Sequence, residues 1–261
     1  MSRFALFRAP VDQPQVGIAF PFAPAAPTEP RFIDFTRGGV SVRVSLHRHP
    51  TARRIYLRVR RRNGEVVMTL PKGAEVTRAR SFVEDSFDWI AERLSSLPRR
   101  VALVPGNVVS LRGEPCVIVA AKPGSRTRLR RGVGGSLRLH VDAARAPAET
   151  RAYLERAALA DLRRAVSHYA RLLGVRPSGI RLKDTSSRWG SCSPDGQLCF
   201  SWRLALAPGF VLDYLAAHEV AHLRDMSHSP AYWALVHSVC PRTEEAEAWL
   251  RDNDTALYSV G

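Results

Sequence analysis

Two histidines inside an apolar segment constrain the fold of this chain more than any other feature. The run from Phe210 to Leu223 is rich in alanine, leucine and valine, and it contains His218, Glu219 and His222. On a helix, residues four apart lie on one face, so both imidazoles can reach one metal ion while Glu219 lies beside its bound water. Burying such polar groups without a partner is costly. The pattern therefore predicts a metal-binding helix.

A third metal ligand is expected close by. Zinc suits imidazole nitrogens, and a catalytic zinc site uses three protein ligands and keeps a fourth position open. His228 follows His222 by six residues, and a helix that ends near Asp225 and turns back would bring it to the metal. The competing ligands are three glutamates of the last predicted helix: Glu244, Glu245 and Glu247. We favour His228 because it needs only a local turn.

The histidine spacing equals that of metzincins, but two features argue against membership of that family. Asp225 stands where metzincins have a glycine, and no methionine follows His228 for a Met-turn.

Composition bounds the class of protein. With 261 residues and 45% hydrophobic residues, the chain can bury one substantial core or two modest ones. It has no apolar stretch of about 18 residues, and Met1 to Pro10 does not resemble a signal peptide, so we expect a cytoplasmic protein without a membrane partner. The four cysteines form no C-x-x-C pair, which argues against a zinc ribbon or a disulfide framework.

Sequence patterns divide the chain into three parts. Residues 1–30 contain six prolines and predict a disordered tail. Residues 31–145 predict a β-rich, basic region: a three-stranded antiparallel sheet with a turn at Asn63-Gly64, a helix from Arg78 to Leu94, and four short strands up to Val141. Residues 146–261 predict a long helix ending before Gly174, two short strands and three further helices. The expected fold class is α+β.

The basic residues are concentrated in the N-terminal half. Residues 31–140 hold 23 basic and 8 acidic side chains, whereas residues 141–261 hold 14 of each. Such a surface can follow the phosphates of a nucleic acid, although arginines also simply solvate strand faces. Strand alternation places Arg58, Arg60 and Arg62 on one face, so these three are the candidate DNA-binding residues.

Three segments resemble one known family. They are Tyr214 to Trp233 with its His-Glu-x-x-His motif, the Arg188-Trp-Gly-Ser-Cys-Ser motif, and Ala52-Arg-Arg-Ile-Tyr-Leu-Arg-Val. Together they resemble the YgjP-like metallopeptidases, zincins related to the SprT and Spartan type, over about residues 40–255. Ser227 departs from the asparagine that often precedes the third histidine. The resemblance implies a zincin-type peptidase domain behind a β-rich region, with His218, His222 and His228 as ligands.

These observations predict a zinc-dependent hydrolase with a polypeptide substrate and Glu219 as general base. Arg188 and Tyr232 are the candidates for binding substrate or stabilising an oxyanion. The alternative for the Arg188 to Cys192 segment is a purely structural role, in which Trp189 packs in the core and Gly190 permits a tight turn. One alternative is a nucleic-acid-binding protein in which the metal is structural, with Cys192 as a fourth ligand. Another is a DNA-associated protease. The oligomeric state is left open.

Overall fold

The computed structural model describes residues 30–60, 63–185 and 188–261. The chain divides into two compact units at the step from Pro98 to Arg99. The α+β class is confirmed, with six helices and three small sheets among the described residues. The disordered tail predicted for residues 1–30 falls almost wholly outside the described residues.

The N-terminal unit contains a four-stranded sheet in the order β1-β2-β4-β3. Its strands are β1 (Phe32–Arg37), β2 (Val40–His49), β3 (Tyr56–Val59) and β4 (Val66–Pro71). β2 and β4 are parallel, and the other two pairs are antiparallel. The prediction of three antiparallel strands was therefore wrong. The reason lies in β4, whose residues are buried on both faces, so it takes a central position between two strands with exposed faces.

Two helices cover one face of this sheet. α1 (Val76–Asp85) and α2 (Phe87–Ser95) replace the single helix predicted from Arg78 to Leu94. They are separated by Ser86, whose φ of −94° and ψ of 3° interrupt the regular helix. The core between helices and sheet includes Val44, Met68, Val83, Phe87 and Ile90.

The second unit begins with another four-stranded sheet, in the order β5-β6-β8-β7. The strands are β5 (Val108–Leu111), β6 (Glu114–Ala121), β7 (Arg128–Arg131) and β8 (Leu137–Asp142), close to the predicted positions. α3 (Ala146–Leu173) follows, and Gly174 ends it in the left-handed region with a φ of 61°. Ile118 and Leu139 of the sheet share one core with Leu154 of α3. These strands therefore belong to the same compact unit as the C-terminal helices, because their apolar side chains are buried with α3.

The remainder of this unit forms the surroundings of the predicted metal site. A three-stranded sheet has the order β10-β11-β9, with β9 (Gly179–Lys183), β10 (Gly190–Cys192) and β11 (Gln197–Ser201). Three helices follow: α4 (Gly209–Ala221), α5 (Pro230–Val239) and α6 (Thr243–Tyr258). β10 is an edge strand, antiparallel to β11. Within the described part of the chain, no helix has the length and apolar character needed to cross a membrane.

Candidate metal centre

α4 is buried along most of its length, and the two histidines of the motif lie in its last turn and at its C-cap. His218 is 2% exposed, and His222 follows the final helical residue as the C-cap and is 8% exposed. The two imidazole rings lie 4.9 Å apart between centroids and are nearly perpendicular, at 88°. The spacing of four residues thus brings both rings to one side of the helix, as the helical period requires.

A hydrogen-bonded turn returns the chain toward these rings. The Asp225 carboxylate accepts hydrogen bonds from the Ser227 amide at 2.8 Å and from the Ser229 hydroxyl at 2.9 Å. Ser229 in turn accepts from the Tyr232 amide at 3.2 Å and caps α5. Between these anchors lies His228, whose Nε2 is 3.0 Å from Nε2 of His222. Asp225, an acid in place of the metzincin glycine, therefore organises the turn.

The three histidines are in a form suited to binding a cation. His222 Nδ1 lies 3.1 Å from the Asp225 carbonyl, so a neutral ring donates there and leaves Nε2 free as a ligand atom. Burial lowers the pKa of His218 well below its usual value, and burial is also the main cause of the lowered pKa of His222 and of His228. Neutral imidazole is the metal-binding form.

The geometry of these donors fits a transition metal ion. One ligand atom from each histidine lies within 4.8 Å of the others. Two nitrogens on a tetrahedral zinc ion are about 3.3 Å apart, so binding needs only a small closure of the set. Among the described residues, the group of side chains that could hold a metal comprises these three histidines. Of the competing glutamates, Glu247 accepts from the Tyr214 hydroxyl at 2.8 Å and Glu245 pairs with Arg242.

Glu219 is the buried acid of the site. Its side chain is 3% exposed, and its Oε2 has no hydrogen-bond partner among the described residues. Burial raises the pKa of Glu219 to about 8, whereas the charge of Arg188 acts in the opposite direction. A carboxyl group with a pKa near neutrality can both accept and release a proton, as general acid-base chemistry requires.

Gly190 lies directly against this carboxyl group. A Cβ atom built at Gly190 would be 2.8 Å from both Cγ and Cδ of Glu219. Gly190 belongs to the extended strand β10 and has no positive φ. Gly190 therefore does not form the tight turn that was one of the two roles considered for it. The glycine is needed for the close approach of strand β10 to α4, a role for which the local sequence holds no signal.

Comparison with known proteins identifies the family of the chain. The family model of the YgjP-like metallopeptidase domain matches residues 53–253. The chain belongs to the YgjP-like metallopeptidase family. A crystal structure of the metallopeptidase zymogen abylysin from Pyrococcus abyssi is similar at 21% identity and a TM-score of 0.33, covering 35% of this chain and 93% of that one. No curated protein matches the chain.

In this YgjP-like metallopeptidase, the start of β10 is anchored from the C-terminal helix. The Trp189 ring stacks on Tyr258 of α6 with centroids 4.7 Å apart, and both side chains are buried. The fully buried Arg203 donates to Asp184 at 3.0 Å and to the Leu257 carbonyl at 2.8 Å, and it also bonds the Val260 carbonyl. The end of the chain therefore supports the strand that contacts Glu219.

The two predicted substrate-binding residues lie in different environments. Tyr232 is fully buried, its hydroxyl donates to the His218 carbonyl at 2.9 Å, and its ring stacks on His222 with centroids 4.6 Å apart. Arg188 is exposed and immediately precedes the Trp189-Gly190 pair. Cys192 is half-buried on β10 and is not a member of the metal-binding group found among the described residues.

The three candidate DNA-binding arginines belong to the other unit. Arg58 is exposed on β3. Arg60 is exposed just after that strand and pairs with Glu65 at 3.1 Å. Arg62 lies outside the described residues.

Proposed function

We propose that this chain is a zinc-dependent peptidase in which His218, His222 and His228 hold one Zn²⁺ ion and Glu219 is the general base. The observation that best supports it is the buried, unpartnered Oε2 of Glu219 beside three converging imidazoles. A buried carboxyl group without a partner is costly, and such exceptions are concentrated at functional sites.

The chain's own groups have separable roles. When bound, Zn²⁺ supplies a Lewis acid that lowers the pKa of water and polarises a carbonyl group. Glu219 Oε2 accepts a proton from water and releases it to the leaving amine of the substrate. Burial of this carboxyl group within apolar surroundings makes each charge interaction stronger than it is in water.

The substrate is an extended polypeptide. Among the residues that the structure describes, β10 pairs with β11 along one edge, so the backbone groups of its other edge, from Gly190 to Cys192, can pair with an added strand. Strand pairing recognises backbone rather than side chains, which suits a peptidase with broad preference. Because Gly190 contacts the Glu219 side chain, a peptide on this edge lies close to the general base.

Arg188 stabilises the oxyanion, and Tyr232 positions a ligand. The exposed guanidinium of Arg188 is available to negative charge that develops on the substrate carbonyl. The Tyr232 hydroxyl already donates to the His218 carbonyl and lies 3.3 Å from His222 Nε2, so it holds the imidazoles in place.

A paired substitution tests the proposal. Glu219→Gln should keep zinc and fold but lose most casein hydrolysis, since removing a general base typically costs about 100- to 10,000-fold. Glu84→Gln, at an exposed acid of α1 in the other unit, is the matched control and should leave hydrolysis unchanged. Undiminished cleavage by Glu219→Gln would show that Glu219 is not the general base.

The ligand assignment is tested by metal content. Zinc measured by atomic emission should be about one ion per chain in wild type and should fall sharply in His228→Ala, because a shell of three ligands weakens when one is lost. Full zinc retention by His228→Ala would show that another group is the third zinc ligand. If wild type holds zinc but hydrolyses no unfolded protein, the metal is structural.

A further inference from the structure

One face of the N-terminal sheet is not covered by α1 and α2. It is exposed along the outer strands, whereas Val67 of the central strand β4 is buried there as well. Ile33, Val44, Leu57 and Met68 point toward α1 and α2, whereas their neighbours along each strand point the other way. Strand register defines two rows across this second surface. One row is Phe32, Ser45, Val67 and Arg58, and the other is His47, Thr69 and Tyr56. We refer to these two rows as the open face.

The open face displays aromatic rings. Phe32 is 48% exposed and Tyr56 is 38% exposed, and among the described residues they are the only exposed phenylalanine, tyrosine or tryptophan side chains. Arg43 lies over the Phe32 ring, with its guanidinium carbon 4.6 Å from the centroid. β1 and β3 are the outer strands, and Tyr56 lies two residues along from the position opposite Phe32, so the two rings are about 16 Å apart. Exposed rings at this separation can stack separate bases of one strand.

The charge around these rings is positive. Asp34 of β1 and Glu65, which precedes β4, are both neutralised, because Asp34 pairs with Arg43 at 2.7 Å and Glu65 pairs with Arg60 at 3.1 Å. Arg58, beside Tyr56, has no ion pair with any residue that the structure describes. The surface therefore combines a sheet face, two exposed rings and the positive charge of Arg58.

We infer that the open face binds single-stranded nucleic acid, with Tyr56 and Phe32 stacking on bases and Arg58 contacting a phosphate. Aromatic platforms with a cationic margin bind single strands without marked sequence preference, since every base has a π face. In a duplex the base faces are stacked on one another and cannot contact the rings. Binding of a duplex through arginines alone would therefore leave the two exposed rings without a role. This inference concerns a site separate from the catalytic residues and does not depend on peptidase activity.

Binding is tested with the full-length protein and fluorescent oligomers of about 15 nucleotides, by anisotropy across a salt series. Oligo(dT) and oligo(U) distinguish DNA from RNA as the preferred strand. We expect both to bind more tightly than a duplex of equal length and than an abasic oligomer of equal charge. Equal affinity for the abasic oligomer, tighter binding of the duplex, or no binding at low salt would each overturn the inference.

Matched variants assign binding to the open face. Tyr56→Leu should weaken oligo(dT) binding roughly 5- to 100-fold, and Arg58→Ser should reduce the slope of log affinity against log salt by about 0.7. Arg80→Ser removes the same charge from α1, on the helical side of the same unit, and should leave the preference over abasic oligomer unchanged. All variants should keep the circular dichroism spectrum and the urea unfolding midpoint of the wild type, which reports that the N-terminal unit folds.

Two outcomes would refute this assignment. If Arg80→Ser weakens binding as much as Tyr56→Leu, attraction is a property of net charge and the open face is not the site. If polyglutamate displaces oligo(dT) at equal concentration of charge, the face binds an acidic protein instead.

Discussion

Gly190 is the position at which one methyl group tests the candidate site most directly. Alanine at this position would place its Cβ 2.8 Å from Cγ and Cδ of Glu219. Carbon atoms in contact are ordinarily about 3.6 Å apart, so the Glu219 side chain must retreat by about 1 Å. A misplacement of this size typically costs about 100-fold in rate, which corresponds to about 2.7 kcal/mol of activation free energy.

The assay compares Gly190→Ala with wild type in casein hydrolysis, zinc content and circular dichroism. We expect an unchanged spectrum, about one zinc ion per chain and a rate about 100-fold lower, because the histidines are untouched while the base is displaced. Gly209→Ala is the control, since a Cβ there meets nothing within 4 Å and Gly209 lies on the same helix as Glu219. A fully active, zinc-loaded Gly190→Ala protein would refute the close approach of β10 to the base.

A second comparison is independent of activity. Glu219→Ala removes the Cγ and Cδ atoms that the new methyl group meets. The unfolding free energy lost through Gly190→Ala should therefore be smaller in the Glu219→Ala background than in wild type, as contacting residues are not additive. Additive losses in urea denaturation would contradict a direct contact.

Two further predictions concern the folding stability of the second unit. Arg203→Met removes a buried guanidinium that binds Asp184 and the Leu257 carbonyl, and it should lower the unfolding free energy in urea by about 3–5 kcal/mol; an unchanged midpoint would contradict it. Hydrogen bonds from the Gly124 and Ala144 amides lower the pKa of Asp142 in the folded protein. The ionised Asp142 therefore stabilises the fold fully at pH values above its pKa in the unfolded chain, about 3.9, and this stabilisation is lost as the pH falls through the lower pKa of the folded state. Asp142→Ala should therefore be less stable than wild type at pH 7, with a gap that narrows in acid, and a gap independent of pH in urea titrations would oppose this account.

Local rules accounted for much of the fold. The helix from Pro147 to Leu173 and its end at Gly174 follow from apolar spacing and from the left-handed conformation that glycine adopts without strain. The four strands before that helix were located for the same reason, because alternation and glycine turns act over a few residues. The motif at His218 to His222 also depends only on helical period, and the family it indicated is confirmed.

The pairing of the strands was harder to predict from the sequence. The antiparallel hairpin of β3 and β4 was predicted from Asn63-Gly64, but the parallel partner of β4 was not. No turn residue specifies a parallel pair, and the choice follows from which strand is buried on both faces. The sheet of β5 to β8 likewise joined the C-terminal unit because α3 buries its apolar side chains.

The sequence by itself determined the helix with its two histidines, the local turn that returns His228, and the α+β class, because periodicity and capping act between near neighbours. Only the tertiary structure decided what surrounds them. Gly190 and Glu219 are 29 residues apart, and Trp189 and Tyr258 are farther still. Contacts of that kind depend on how a sheet edge packs on a helix, and no pattern within either segment specifies it.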